Sequence, residues 1–173
     1  MTELAIVQLV SLGLAVVACG WDLRTQRIPQ LLTIGGALAG VAYHLASGGW
    51  TGGLGSLAGW FVGILIFLAP FALGGLGAGD VKLLGALGAW LGVSKVIWLA
   101  LYTGVAGGVM ALVVALASGY LRTALSNLSV LTMHWRLNGP TPLAAITLEH
   151  ARGPRLAYAV PILAGTAATL WLQ

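Results

Sequence analysis

Charge is what this chain most lacks. Asp, Glu, Lys and Arg together make up 7% of its 173 residues, against about 25% in a soluble domain, and that scarcity excludes a water-soluble globular fold. Cysteine is almost absent as well. Cys19 stands alone, which excludes an intrachain disulfide and a zinc site built on thiolates. Val16-Val17-Ala18-Cys19 has the outline of a lipoprotein cleavage box, but no basic segment precedes it and Glu3 does, so Cys19 reads as a small packed residue. Polar stretches long enough to fold separately in water are also missing. Residues 1–173 therefore read as a single membrane-embedded domain.

What is there instead is apolar: 59% of residues are hydrophobic and the mean hydropathy is +0.98. Residues 4–20 form an uninterrupted run long enough to span about 30 Å of hydrocarbon, ending at Trp21. A polar loop, Asp22 to Gln30, follows, with Pro29 suited to the first position of the next helix. A second helix is expected over 31–46, stopped by Ser47-Gly48-Gly49, and a third over 54–73. In the third, Gly55, Gly59 and Gly63 recur every fourth residue, a small-residue stripe that lets a neighbouring helix approach. After the glycine-rich stretch 74–79 comes a short apolar run, 81–93, of only about 20 Å. Such a short helix sets Asp80 below the membrane surface, where irregular backbone is tolerated only if buried or beside a wet cavity. A fifth helix covers 96–118. Leu121, Leu125, Leu128, Leu131 and Trp135 then recur at helical spacing, an amphipathic helix lying in the interface and closed by Asn138-Gly139-Pro140. A last helix is expected over 156–172. The fold class is all-α: about six transmembrane helices plus one interfacial amphipathic helix.

Basic residues set the orientation. With the N-terminus outside, Arg24, Arg27, Arg122, Arg136, Arg152 and Arg155 fall on the cytoplasmic side, Lys82 just inside it, and Lys95 alone opposes them. The basic excess is of this membrane-topology kind, so no nucleic-acid partner is implied. The same orientation sets Asp22 and Asp80, the only two aspartates, on one side of the membrane.

Two carboxylates at one depth are the minimum equipment of an aspartic protease. At close range they share one proton; the ionised member draws a proton from water while the protonated one polarises the scissile carbonyl. Gly77 and Gly79 leave room for an extended substrate backbone. An acid at a helix end is also often a solvated interface residue or a helix cap, and an acid pair inside a membrane can equally carry protons or cations.

Gly77-Ala78-Gly79-Asp80-Val81-Lys82-Leu83-Leu84, with Gly88 and Gly92 following, resembles the active-site segment of the type IV prepilin peptidases, the GxGD-type membrane aspartic proteases. Asp22 with Arg27-Ile28-Pro29, 58 residues before Asp80, resembles that family's first catalytic segment, with Gln30 where Asn is usual. Tyr158 to Gly165 is only loosely similar to the family's C-terminal segment, since Ala157, Ala159 and Pro161 depart from it, and no function is carried onto that helix. The resemblance implies Asp22 and Asp80 as the catalytic pair and hydrolysis of a prepilin or pseudopilin leader on the cytoplasmic face of the prokaryotic inner membrane, with neither metal nor organic cofactor. Larger members carry a cytoplasmic region with paired Cys motifs that methylates the new N-terminus. This chain has one Cys and no such region, so it resembles the peptidase-only branch serving Flp-type pili.

Around that pair, Lys82, Arg24 and Arg27 are candidate contacts to lipid or substrate. His44, His134 and His150 have no metal-ligand spacing and read as structural. Trp21, Trp50, Trp90, Trp98 and Trp135 read as interfacial anchors. A small proton- or cation-coupled transporter using the same acid pair is the competing expectation, although no internal repeat supports it.

Overall fold

The computed structural model describes residues 2–141, 143 and 156–173. His150, Arg152 and Arg155 lie outside the described residues. Among the described residues five helices follow one another: α1 (Thr2–Thr25), α2 (Gln30–Ala72), α3 (Ala78–Ala117), α4 (Leu121–Asn138) and α5 (Ala159–Leu172). Among the described residues there is no strand. α1, α2 and α3 are long and apolar enough to cross a membrane, and α5 is apolar but shorter.

At 43 and 40 residues, α2 and α3 as straight rods would each reach about 60 Å, twice the hydrocarbon thickness. Neither is straight. Gly49 (φ 61°, ψ −153°) and Gly92 (φ 77°, ψ 176°) interrupt them in a backbone region that essentially only glycine enters. The chain doubles back at both. Leu45 Cδ1 lies 3.0 Å from where a Cβ on Gly53 would stand, and Val96 Cγ2 lies 3.1 Å from the same point on Gly88; along one straight helix, residues eight apart would be about 12 Å apart. The stop expected at residues 47–49 is thus a one-residue break, with helix resuming at once rather than at residue 54.

Other boundaries also moved. α1 continues past Trp21 to Thr25, so Asp22 belongs to its last turn and not to the loop. Pro29 caps α2 from just outside, its φ of −59° and ψ of 134° extended, because its ring fits the chain entering a helix and no N–H is lost from the ladder. α5 begins at Ala159 rather than 156.

The first arm of α3, 78–91, is the centre of the molecule. Val81 and every residue from Leu83 to Leu91 are buried, and Leu83, Leu84 and Leu87 have no exposure. α1, α2 and α5 all pack on α3, and a helix apolar all round is stable only when enclosed in this way. The small-residue stripe operates in part. Gly59 meets Gly88 and Gly63 meets Leu84 through their backbones, whereas nothing stands near Gly55. Ser56, between them, donates to the Ala89 carbonyl at 2.6 Å. Trp90 is not an interfacial anchor: it is 6% exposed and its Nε1 donates to the Gly36 carbonyl at 2.8 Å. His44 Nε2 stands 3.0 Å from the Trp90 carbonyl, two residues before the Gly92 break.

α4 has no buried residue. Leu125, Leu128, Val130, Met133 and Leu137 are all at least half exposed, and Gly139 closes the helix at φ 76°.

Candidate functional site

Asp22 sits where α1 ends. The Thr25 hydroxyl donates to the Trp21 carbonyl at 2.9 Å and stands 3.0 Å from that of Arg27, while Gln26 turns the chain at φ 51°. Arg27, Ile28 and Pro29 then lead away toward α2, leaving the Asp22 side chain 7% exposed. Asp80 is the third residue of α3. Its Oδ2 accepts from the Gly77 N–H at 3.1 Å and its own N–H donates to the Gly77 carbonyl at 3.1 Å, a reciprocal closure of the helix start. Its side chain is 8% exposed, and the positive end of the helix dipole faces it.

Both aspartates line one cavity of about 600 Å³. Gly77, Gly79 and Arg27 line it too, together with Trp21, Gln26, Ile28 and Pro29. Glycine at 79 has a steric reason: a Cβ there would stand 3.2 Å from the Ile28 Cβ and press on the loop behind Asp22. At 77, a Cβ would stand 3.1 Å from Asp80 Oδ2.

A third element reaches the site, one onto which the sequence carried no function. The backbone N–H of Ala159, the first residue of α5, donates to Asp22 Oδ2 at 3.2 Å. Tyr158, just before it, packs edge-on to Phe67 with centroids 6.0 Å apart and covers the face of α3 at Gly107. The only available signal was the loose similarity of Tyr158 to Gly165, because a backbone donor leaves no trace in residue identity.

Two expected neighbours are not brought to this cavity. Arg24 borders a separate hollow with Val17, Gly20, Trp21 and Thr25. Lys82 borders an apolar groove between α2 and α3. Among the described residues, no group of three or more His, Cys, Asp or Glu side chains is placed to hold a metal ion.

Apolar helices long enough to cross a bilayer, with two buried acids lining one cavity, define a helical membrane protein with an acidic site. Residues 9–112, more than half of the chain and including both aspartates, match the type IV leader peptidase family, and the chain belongs to that family. It is a leader-peptidase-type protease, with prepilin-like precursors as its substrate class. No curated protein and no solved structure matches the chain.

Proposed function

We propose that this protein is a GxGD-type aspartic endopeptidase of the inner membrane. It removes the leader of Flp-type pilin-like precursors at the cytoplasmic face, using a water activated between Asp22 and Asp80. One observation carries the reading: two carboxyl groups 58 residues apart in sequence are both buried and both line the same cavity.

The chemistry follows from a shared proton. The ionised carboxylate takes a proton from the water, whose oxygen attacks the scissile carbonyl carbon, while the protonated carboxyl gives its proton to the carbonyl oxygen. The resulting gem-diol collapses as one hydroxyl returns its proton to a carboxylate. The C–N bond breaks and the departing nitrogen takes the proton first drawn from water, which leaves the pair again with one proton. Gly77 and Gly79 keep the cavity wall low for the substrate backbone, and Arg27 at its rim suits an acidic group or a carbonyl of the leader.

Six spans are part of the same proposal: α1, the arms 30–48 and 50–72, the arms 78–91 and 93–117, and α5, with α4 in the interface and the N-terminus outside. The reversals at Gly49 and Gly92 support that count, and Arg24 and Arg27 beside Asp22 support the cytoplasmic side. A single Cys supports a peptidase without methyltransferase activity. Carriage of protons or cations gains no support from membership in a peptidase family.

Co-expression with a Flp-type precursor tests the assignment by the gel shift of leader removal. Normal processing by both Asp22→Ala and Asp80→Ala proteins would overturn it.

A further inference from the structure

Lys82 follows Asp80 by two residues, about 200° further round the helix, and faces a different cavity. This second cavity, about 410 Å³, runs between the two arms of α2 and the start of α3. Ile34, Leu38, Val41, Leu57, Trp60 and Ile64 form its walls, and among the described residues Lys82 is the only charged one lining it. Ile34 is 50% exposed, Leu38 65% and Leu57 46%, so the groove opens sideways onto the outer surface of the helices. It has a shallow and a deep end. Thr33 and Lys82 each stand within about 6 Å of the start of their helices, while Val41 lies about 12 Å further in than Thr33. The Thr33 hydroxyl donates its proton to the Gln30 carbonyl at 3.2 Å, and Lys82 supplies the one positive charge available to an anionic occupant among the described residues of the lining.

A cation at the mouth of an apolar groove inside a membrane protein calls for an anion with an apolar body. Two classes have that chemistry: an anionic lipid, or an acidic apolar segment of the substrate. The second is disfavoured by position. On the function proposed above, a precursor under cleavage enters the cavity of Asp22 and Asp80, and the groove lies on the other side of the same helix turn.

We propose that the groove is a binding site for an anionic glycerophospholipid, one acyl chain lying along Leu38, Val41, Leu57 and Ile64 and the phosphate resting on the Lys82 ammonium. Basic pockets between membrane helices on the cytoplasmic side take such headgroups, and lysine binds phosphate as a point charge.

Native mass spectrometry of the full chain in mild detergent, titrated with phosphatidylglycerol or phosphatidylcholine of identical chains, reads this directly. The wild type should retain one phosphatidylglycerol in preference to phosphatidylcholine by about fivefold, the factor that one lysine at the surface supplies. Lys82→Gln should lose that preference and Lys82→Arg should keep it, each with wild-type helix content by circular dichroism. Equal retention of phosphatidylglycerol by the wild type and Lys82→Gln overturns the proposal, as does equal retention of the two lipids by the wild type. A photoreactive residue in place of Leu57, in phosphatidylglycerol vesicles containing precursor, should form a lipid adduct. A precursor adduct there instead would assign the groove to the substrate and overturn the lipid site.

Discussion

The N–H of Ala159 and Oδ2 of Asp22 meet at 3.2 Å across 137 residues of sequence. That bond ties the start of α5 to the end of α1 and takes one of the lone pairs with which Asp22 could otherwise turn away from the cavity. Ala159 itself has no exposure. Ala159→Leu should therefore displace the start of α5, at an overpacking cost of about 1–3 kcal/mol, and move Asp22. We expect kcat for leader removal to fall about tenfold to a hundredfold, as for a misplaced reacting group, with little change in KM. Ala159→Gly, which retains the N–H, should keep most of the activity. Wild-type kcat in the leucine variant would mean that the bond does not position Asp22.

Asp22→Asn and Asp80→Asn each preserve an oxygen that can accept the existing backbone hydrogen bond. Helix content should therefore be unchanged. Precursor cleavage should fall by about 10²–10⁴, the usual worth of a general acid or base, in a single-turnover assay with purified protein. A loss of only a few-fold in either variant would remove that residue from the proposed pair.

Gly77→Val and Gly79→Val place bulk against Asp80 Oδ2 and the Ile28 side chain respectively. Cleavage should drop far more than membrane insertion, measured as the ratio of processed precursor to protein in the membrane fraction. Equal losses of both would assign these glycines to the fold alone.

Arg27 borders the acidic cavity and Arg24 does not. Arg27→Gln should raise KM for the precursor several-fold, whereas Arg24→Gln should leave it within about twofold, the scale expected for an exposed charge elsewhere on the surface. The reverse order would show that the leader approaches along the outer side of α1.

Gly92 stands about 18 Å along α3 from Asp80, at a φ of 77°. Gly92→Ala should destabilise the protein by about 1–3 kcal/mol, seen as a lower thermal midpoint in detergent. Cleavage per folded molecule should not change, because the reversal is remote from the acids. A wild-type midpoint would mean that the backbone can relax there without strain.

Much of the architecture was legible because membrane helices are written in composition. A run of apolar residues between glycine-rich breaks reads as a helix whatever its neighbours do, and the breaks at Gly49 and near Gly92 follow from what only glycine can adopt. The boundaries were less legible. Asp22 was set in a loop because an acid after an apolar run looks like an end, yet Thr25 closes the helix one turn later. Trp90 was read as an anchor because it sits near a helix end; inside the bundle, its N–H has the Gly36 carbonyl as partner.

For the site, the chain alone singled out Asp22, Asp80 and the glycines before Asp80, by scarcity of charge and by spacing. The two-residue offset from Asp80 did turn Lys82 away from that acid, but the chain could not say that Arg27 borders the same cavity while Arg24 does not, since only packing decides which direction meets the cavity. Nor could it bring Ala159 to Asp22, a bond made by a backbone N–H that every residue but proline possesses. Sequence by itself determined which groups are scarce, which segments must be helical and where the chain can reverse. The tertiary structure decided which of those groups share a cavity, because the helix-on-helix contacts of Gly59 with Gly88 and Gly63 with Leu84 set how α2 and α3 face one another.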